Sequence, residues 1–167
     1  NAHPILAICD AGGNDWLVGR QIRSDGIALR NMSNPASIGN NPEYWYPGIG
    51  TLDVHYSSGP NNRMFYFLSQ GAANAVSSLL VGCPVNMTGI GNNSAFRIWF
   101  NALTTRFTSS SNYADARSKM IAAAQALYGV GSWEEIAVQR AYAAVNVGPD
   151  AAEVGAAGCN YGKVSEI

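Results

Sequence analysis

The chain has little charge, few histidines and few cysteines, and these shortages exclude several classes of protein. Only 13% of its 167 residues are charged, and the net charge is −1 with a pI near 6.1. A nucleic-acid-binding protein would normally carry a basic patch, and the sequence has none. No apolar run approaches the roughly 20 residues of a membrane span. We therefore expect no nucleic acid and no membrane among its partners.

The three cysteines, Cys9, Cys83 and Cys159, form no Cys-x-x-Cys motif. A zinc site built from cysteines is therefore not expected. An odd number of cysteines is awkward for a complete secreted domain, but natural for a piece that has lost one partner. The chain also opens directly on the apolar run that follows Pro4. We accordingly expect the N-terminus to be a point of truncation.

Length and periodicity indicate one mainly helical domain. Apolar residues recur at helical spacing and strand signals are scarce. We predict helices over 63–70 (with an extension to residue 80 left open), 94–105, 113–128 and 132–145. Asn112 and Gly129 are suited to the ends of the third helix, and Ser132-Trp133-Glu134-Glu135 is a capping box for the fourth. The predicted fold is a mainly α, orthogonally packed bundle of about five helices, preceded by a long irregular N-terminal region.

Residues 31–63 are rich in Asn, Pro, Gly and Tyr and show no sustained period. A long irregular segment inside a compact domain is usually functional. His55, one of only two histidines, lies there in a polar loop, two residues after Asp53. A protonatable ring beside its own carboxylate, with Arg30 nearby in sequence, is suited to stabilising a developing oxyanion. The residues alone also fit a surface histidine with a chance acidic neighbour and a solvated arginine.

Seven short runs are arranged in one order along the chain. They cover 14–19 (NDWLVG), 28–35 (ALRNMSNP), 53–59 (DVHYSSG), 65–68 (FYFL), 89–91 leading into 102–105, 108–117, and 141–147. Over roughly residues 14–147, this set resembles the C-terminal helical domain of the thermolysin family of secreted zinc metalloendopeptidases. The run at 53–59 is similar to the vibriolysin and pseudolysin branch.

The resemblance implies a two-domain enzyme. Its N-terminal half would supply His-Glu-x-x-His and a later Glu as zinc ligands, and that half is missing here, because the chain has two histidines and no such motif. The helical half, residues 14–147, would face the zinc across a cleft. Residues 1–13 would be a remnant of the inter-domain region, and residues 148–167 a C-terminal tail. The zinc of the full-length enzyme would therefore have no ligand in this chain.

The same resemblance implies roles for individual residues. His55 matches the catalytic histidine, Asp53 the carboxylate that holds it, and Arg30 the arginine that reaches the substrate carbonyl. Three apolar residues match the wall of the pocket for the residue after the scissile bond: Val18, Ile22 and Leu29. Asp15 and the carbonyl of Leu17 match part of a calcium site, although the acidic residues expected roughly two or three helical turns before Asp15 are absent, where the chain has Pro4 to Cys9.

Two functions from different classes are therefore open. The first is the substrate-facing half of a secreted, extracellular zinc metalloendopeptidase that hydrolyses peptide or protein substrates. This chain alone would then be inactive. The second is a non-catalytic helical module derived from the family that binds or inhibits. The upstream sequence discriminates between them, since His-Glu-x-x-His just before this segment would support the first.

We predict a disulfide between Cys83 and Cys159, with Cys9 free or paired outside this chain. Cys83 follows a predicted helix and Cys159 lies in the tail, so the bond would tie the tail to the bundle. It would close a loop of about 75 residues, nominally worth about 4 kcal/mol in the chain-entropy model. Mapping of non-reduced peptides tests this pairing. A Cys9–Cys83 or Cys9–Cys159 link would contradict it.

Overall fold

The computed structural model of the chain describes residues 15–72 and 87–151, so all three cysteines and the predicted disulfide lie outside the described residues. Within these ranges the elements are β1 (Leu17–Val18), β2 (Arg30–Asn31), α1 (Val54–Ser57), α2 (Gly59–Gln70), α3 (Gly91–Thr105), α4 (Tyr113–Tyr128) and α5 (Trp133–Ala143). Single 3-10 turns occupy Pro35–Ser37 and Ile49–Thr51. The predicted mainly α class is confirmed, as is the long irregular region before the helices.

Local capping signals explain where the helices begin and end. α4 has the predicted bounds: the Asn112 side chain accepts a hydrogen bond from the Asp115 amide at 3.0 Å, and Gly129 follows with φ of +97°. α2 begins earlier than predicted, at Gly59, because Pro60 is favoured in a first turn. α3 likewise begins earlier, at Gly91, and α5 ends earlier, at Ala143.

Gly71 ends α2, and residues 73–80 of the open extension lie outside the described residues. The φ of Gly71 is +84°, in the left-handed region that favours glycine. The backbone of the Met87–Gly89 segment also approaches closely, because a Cβ at Gly71 would lie 2.4 Å from the Met87 carbonyl oxygen. The Ala72 amide donates to that same oxygen at 2.8 Å, which holds the end of α2 beside the start of the next described segment.

Only one of the two hydrogen bonds of the predicted capping box before α5 forms. Ser132 Oγ accepts a hydrogen bond from the Glu135 amide at 3.2 Å, as predicted. The Glu135 carboxylate, however, accepts from the Gly131 amide at 2.7 Å instead of returning to the cap residue. Its other oxygen accepts from the side chains of Gln125 and Gln139. Since Glu135 is buried, these bonds satisfy its carboxylate while they join α4 to α5.

Four helices pack in a closed sequence: α2 on α3, α3 on α4, α4 on α5, and α5 back on α2. Small side chains at the contacts allow close approach and a continuous core. The longest described helix, α4, has 16 residues, and no described helix has both the length and the apolar character that a membrane crossing requires. The fully buried core residues include Met64, Phe67, Leu68, Ala95, Ile98, Ala102, Met120, Ala123, Ala124, Ala137, Val138, Ala141 and Tyr142.

The irregular N-terminal region is attached to this bundle by polar contacts. Arg63 of α2 is buried, and its Nη1 lies 3.0 Å from the Glu43 carboxylate. Its guanidinium also lies over the rings of Tyr44 and Phe67, 4.9 and 5.2 Å from their centroids. The Trp45 amide donates to a carbonyl just beyond α5, that of Val145, at 2.9 Å. Residues 43–45 are therefore held to both α2 and the end of α5.

We expect Arg63→Met to lower the free energy of unfolding by about 3–5 kcal/mol, because it leaves the Glu43 carboxylate without its cation in a largely buried place. Urea denaturation followed by circular dichroism measures this loss. Lys119→Met is the matched control, because it breaks the more exposed pair between Lys119 and Asp115 on α4. Its loss should be much smaller, and equal losses for the two variants would contradict a special role for Arg63.

Candidate functional site

The predicted pair of Asp53 and His55 occupies the start of a helix of one turn. Asp53 is the N-cap of α1, and its Oδ1 accepts a hydrogen bond from the His55 amide at 2.8 Å. The same oxygen lies 2.6 Å from Nδ1 of the His55 ring. The structure thus brings these two residues together as predicted, although in a helical turn and not in an irregular loop. The cap bends the carboxylate back toward the ring that follows it.

The electrostatics of this pair favour an ionised carboxylate. The His55 amide, and then the His55 ring, donate to Asp53 and lower the pKa of its carboxyl group. Asp53 holds Nδ1, so Nε2 is the ring nitrogen left for another group. The side chains are 73% exposed for His55 and 60% exposed for Asp53, so the ring is open to an incoming molecule.

α1 is also held from a distant part of the chain. The hydroxyl of Tyr113, the first residue of α4, donates to the Ser57 carbonyl at 2.6 Å. Burial raises the pKa of Tyr113 to about 12, so the hydroxyl keeps its proton at neutral pH. The sequence analysis placed Tyr113 at the start of a helix and within the run 108–117, but gave it no role in the site. Its position directly after the Asn112 cap was the one signal that could have drawn attention to it.

Arg30, Leu29 and Val18 come together in the small antiparallel sheet. Val18 of β1 is opposite Arg30 of β2, and Leu17 is opposite Asn31. The Leu29 amide donates to the Val18 carbonyl at 2.8 Å. The Arg30 guanidinium donates one hydrogen bond to the Leu29 carbonyl at 2.6 Å, which uses one of its five N–H donors.

Large apolar side chains are left exposed on and beside this sheet. Leu29 is 38% exposed, Val18 44% and Ile22 77%. Ile27, which the sequence did not single out, is 56% exposed on the same connection. Exposed apolar side chains near one another are typical of a surface that binds an apolar group. The three predicted pocket residues are therefore exposed, and their contact with a substrate stays a prediction.

Asp15 and Leu17, the predicted calcium ligands, make contacts of a different kind. One Asp15 oxygen accepts from the Leu17 amide at 2.9 Å, and the other lies 3.0 Å from the Arg20 guanidinium. Across residues 15–72 and 87–151, no three His, Cys, Asp or Glu side chains are grouped as a metal site would need. Calcium at this position stays a prediction.

A groove of about 420 Å³ lies beside α1. It is bounded by residues of α1 and the start of α2, by the end of α3 and by the start of α4. Its lining has an apolar side that includes Trp99, Leu103 and Phe107, and a polar side of uncharged residues that includes Ser57 and Asn61. The groove is next to the turn that carries His55, because Val54 of the same turn is part of its wall.

The chain matches the family model described as thermolysin metallopeptidase, alpha-helical domain, over residues 6–147. It is 42% identical over 150 residues to the transglutaminase-activating metalloprotease of Streptomyces mobaraensis. That match covers 84% of this chain and 20% of the relative. It is 38% identical over 139 residues to the thermolysin of Alicyclobacillus acidocaldarius, covering 80% of this chain and 24% of that protein.

A third relative, neutral protease B of Bacillus subtilis, is 33% identical over 143 residues, which cover 82% of this chain and 25% of the relative. The chain therefore spans about a fifth to a quarter of the length of these relatives.

We expect the Asp53 carboxyl to titrate below the usual range of an aspartate. His55→Ala should raise the pKa of Asp53 only part of the way back to that range. The variant removes the ring but keeps the amide, which is the larger cause of the shift. Because the folded pKa is lowered, the stabilisation of α1 is present above the unfolded pKa and is lost as the pH falls through the folded value.

Carbon-13 NMR of the side-chain carboxyl groups measures both midpoints. Asp115 is the matched control, because its pKa is lowered by Lys119 and Ser111 and not by His55. A shift of Asp115 as large as that of Asp53 in His55→Ala would contradict a specific pair.

Proposed function

We propose a function from the premise that this chain belongs to the thermolysin metallopeptidase family, as its α-helical domain. It supplies the substrate-facing half of the active site of a secreted zinc metalloendopeptidase, and its partner is the zinc-binding half of the same enzyme. The observation that carries this proposal is the pairing of Asp53 with an exposed His55 ring at 2.6 Å. The substrate is a peptide or protein chain.

His55 acts on the charge that develops during peptide hydrolysis. Attack on the peptide carbonyl places negative charge on its oxygen, and a donor at that oxygen stabilises the transition state. Since Asp53 keeps a proton on Nδ1, donation from Nε2 requires the doubly protonated ring. The adjacent carboxylate provides the negative charge that accompanies this imidazolium. Asp53 therefore fixes the orientation of the ring.

Arg30 and the exposed apolar residues bind the substrate. The remaining N–H groups of the Arg30 guanidinium donate to a substrate carbonyl. Val18, Ile22 and Leu29 contact the side chain after the scissile bond, so an apolar side chain is favoured at that position. The hydrogen bond from Arg30 to the Leu29 carbonyl holds the two kinds of contact beside each other.

Zinc would supply an activated water and polarise the peptide carbonyl when bound to the enzyme. The residues that the structure describes do not fit a zinc site, since no three of the usual ligand side chains are grouped in them. We therefore assign the zinc ligands to the other half and derive no step at the metal from this chain. A calcium ion at Asp15 and Leu17 is a further proposal from the family.

The sequence upstream of this chain in its gene tests the assignment directly. A His-Glu-x-x-His motif in the preceding segment supports the endopeptidase, and the 167-residue chain produced alone should then not hydrolyse an unstructured protein substrate. An unrelated domain or a start codon there would favour the non-catalytic module that binds or inhibits.

In the protein as its gene encodes it, His55→Ala should lower kcat about 10²- to 10³-fold with little change in KM. This pattern is expected for a contact that forms chiefly in the transition state. Asp53→Asn should lower kcat in the same direction but less, because the amide can still cap α1. Steady-state hydrolysis of a peptide substrate measures both constants.

Asp115→Asn is the matched control for Asp53→Asn. It removes a partly exposed carboxylate that is paired with Lys119 within α4. Its kcat should equal that of the unmodified protein. Unchanged kcat in both His55→Ala and Asp53→Asn would show that the pair is structural and would refute the proposed role.

A further inference from the structure

α1 is too short and too exposed to hold its own shape. It has four residues, Val54–Ser57, and none of them is buried. A single helical turn is unfavourable by itself, because it fixes several backbone dihedrals for very few hydrogen bonds. Apolar packing cannot compensate here, since Val54 is 73% exposed and Tyr56 48% exposed. The geometry of the His55 turn therefore depends on hydrogen bonds.

Those hydrogen bonds form a continuous chain from α4 to the His55 ring. The Tyr113 hydroxyl donates to the Ser57 carbonyl at 2.6 Å. The Ser57 amide donates to the Asp53 carbonyl at 3.0 Å. The Asp53 carboxylate then accepts from the His55 amide and lies 2.6 Å from the ring. Within residues 15–72 and 87–151, the Tyr113 bond alone joins α1 by a hydrogen bond to a distant helix.

Tyr113 itself is firmly placed. It begins α4 directly after the Asn112 cap, and it packs against the buried core of the bundle. α4 in turn packs on both α3 and α5. The phenol ring thus belongs to the rigid part of the molecule, whereas its hydroxyl reaches the exposed turn.

We propose that Tyr113 is a positioning residue for His55, and that its hydroxyl acts through the carbonyl of Ser57. This inference rests on the proposed function of His55. This role requires no contact between Tyr113 and the substrate. Tyr113 transfers the rigidity of the bundle to the Asp53–His55 pair, so that the ring is in place before a substrate arrives. A tyrosine hydroxyl keeps its proton over the neutral range, so it can donate to the Ser57 carbonyl.

The variant Tyr113→Phe tests the contribution of the hydroxyl separately from that of the ring. Phenylalanine preserves the packing of the ring, but it leaves the Ser57 carbonyl without its donor. In the protein as its gene encodes it, amide exchange measured by NMR should become about fivefold faster at Tyr56 and Ser57, whose amides both donate to Asp53. An unchanged exchange rate at these amides would overturn the inference.

Tyr142→Phe is the matched control. It also removes a buried hydroxyl from the core, but that hydroxyl lies 3.5 Å from Asn61 of α2 and makes no bond to α1. Exchange at Tyr56 and Ser57 should stay at the unmodified rate in this variant. Equal acceleration in the two variants would show a general loosening of the core, and the inference would fail.

A double-mutant cycle with His55→Ala tests whether Tyr113 acts through His55. Tyr113→Phe should lower kcat about fivefold with KM kept, and it should have no further effect when His55 is already alanine. An equal loss in both backgrounds would mean a merely structural role and would overturn the inference. An unchanged kcat in His55→Ala alone would instead refute the proposed function, and the exchange rates still report separately on the turn.

Discussion

The ion pair between the buried Arg63 and the largely buried Glu43 ties the irregular region before α2 to the helices that support the rest of the structure. The long irregular region before α2 buries few apolar residues, so it cannot fold against the bundle by hydrophobic packing alone. Arg63 provides a buried positive charge, and the Glu43 carboxylate of this region lies 3.0 Å from it as the opposite charge. With Trp45 bonded to the Val145 carbonyl, the same stretch is fixed at two points. The His55 turn follows a few residues later.

The site is built from local contacts within short elements, and the rest of the domain holds those elements in place. Asp53 and His55 are two residues apart, and Val18 and Arg30 face each other across two very short strands. Neither the one-turn helix nor the two-residue strands would be stable alone. α1 is held by its contacts with α2 and by the Tyr113 bond from α4, and the small sheet contacts the 3-10 turn Pro35–Ser37, which packs on α2. Exposed side chains on a rigid helical support suit the proposed site, which must be open to a polypeptide.

Sequence reasoning succeeded where the deciding interaction is between near neighbours. Asn112 and Gly129 gave the bounds of α4, because a cap is a contact between residues a few positions apart. The predicted start of α2 was too late, because the polar residues after Pro60 gave no apolar pattern in the first turn. The predicted capping role of Glu135 was also inaccurate, because its carboxylate accepts from Gly131 and two glutamines. The family resemblance is confirmed, whereas the roles given to individual residues remain proposals that the experiments above decide.

The sequence by itself determined the helical class, the caps and the proximity of Asp53 to His55, because each follows from spacing along a few residues. Only the tertiary structure decided that Tyr113 reaches Ser57 across 56 residues and that Arg63 is buried against Glu43. It also decided that Val18, Ile22 and Leu29 stay exposed although they are apolar. Contacts between residues far apart in the chain depend on how whole helices pack, and no local pattern specifies that packing.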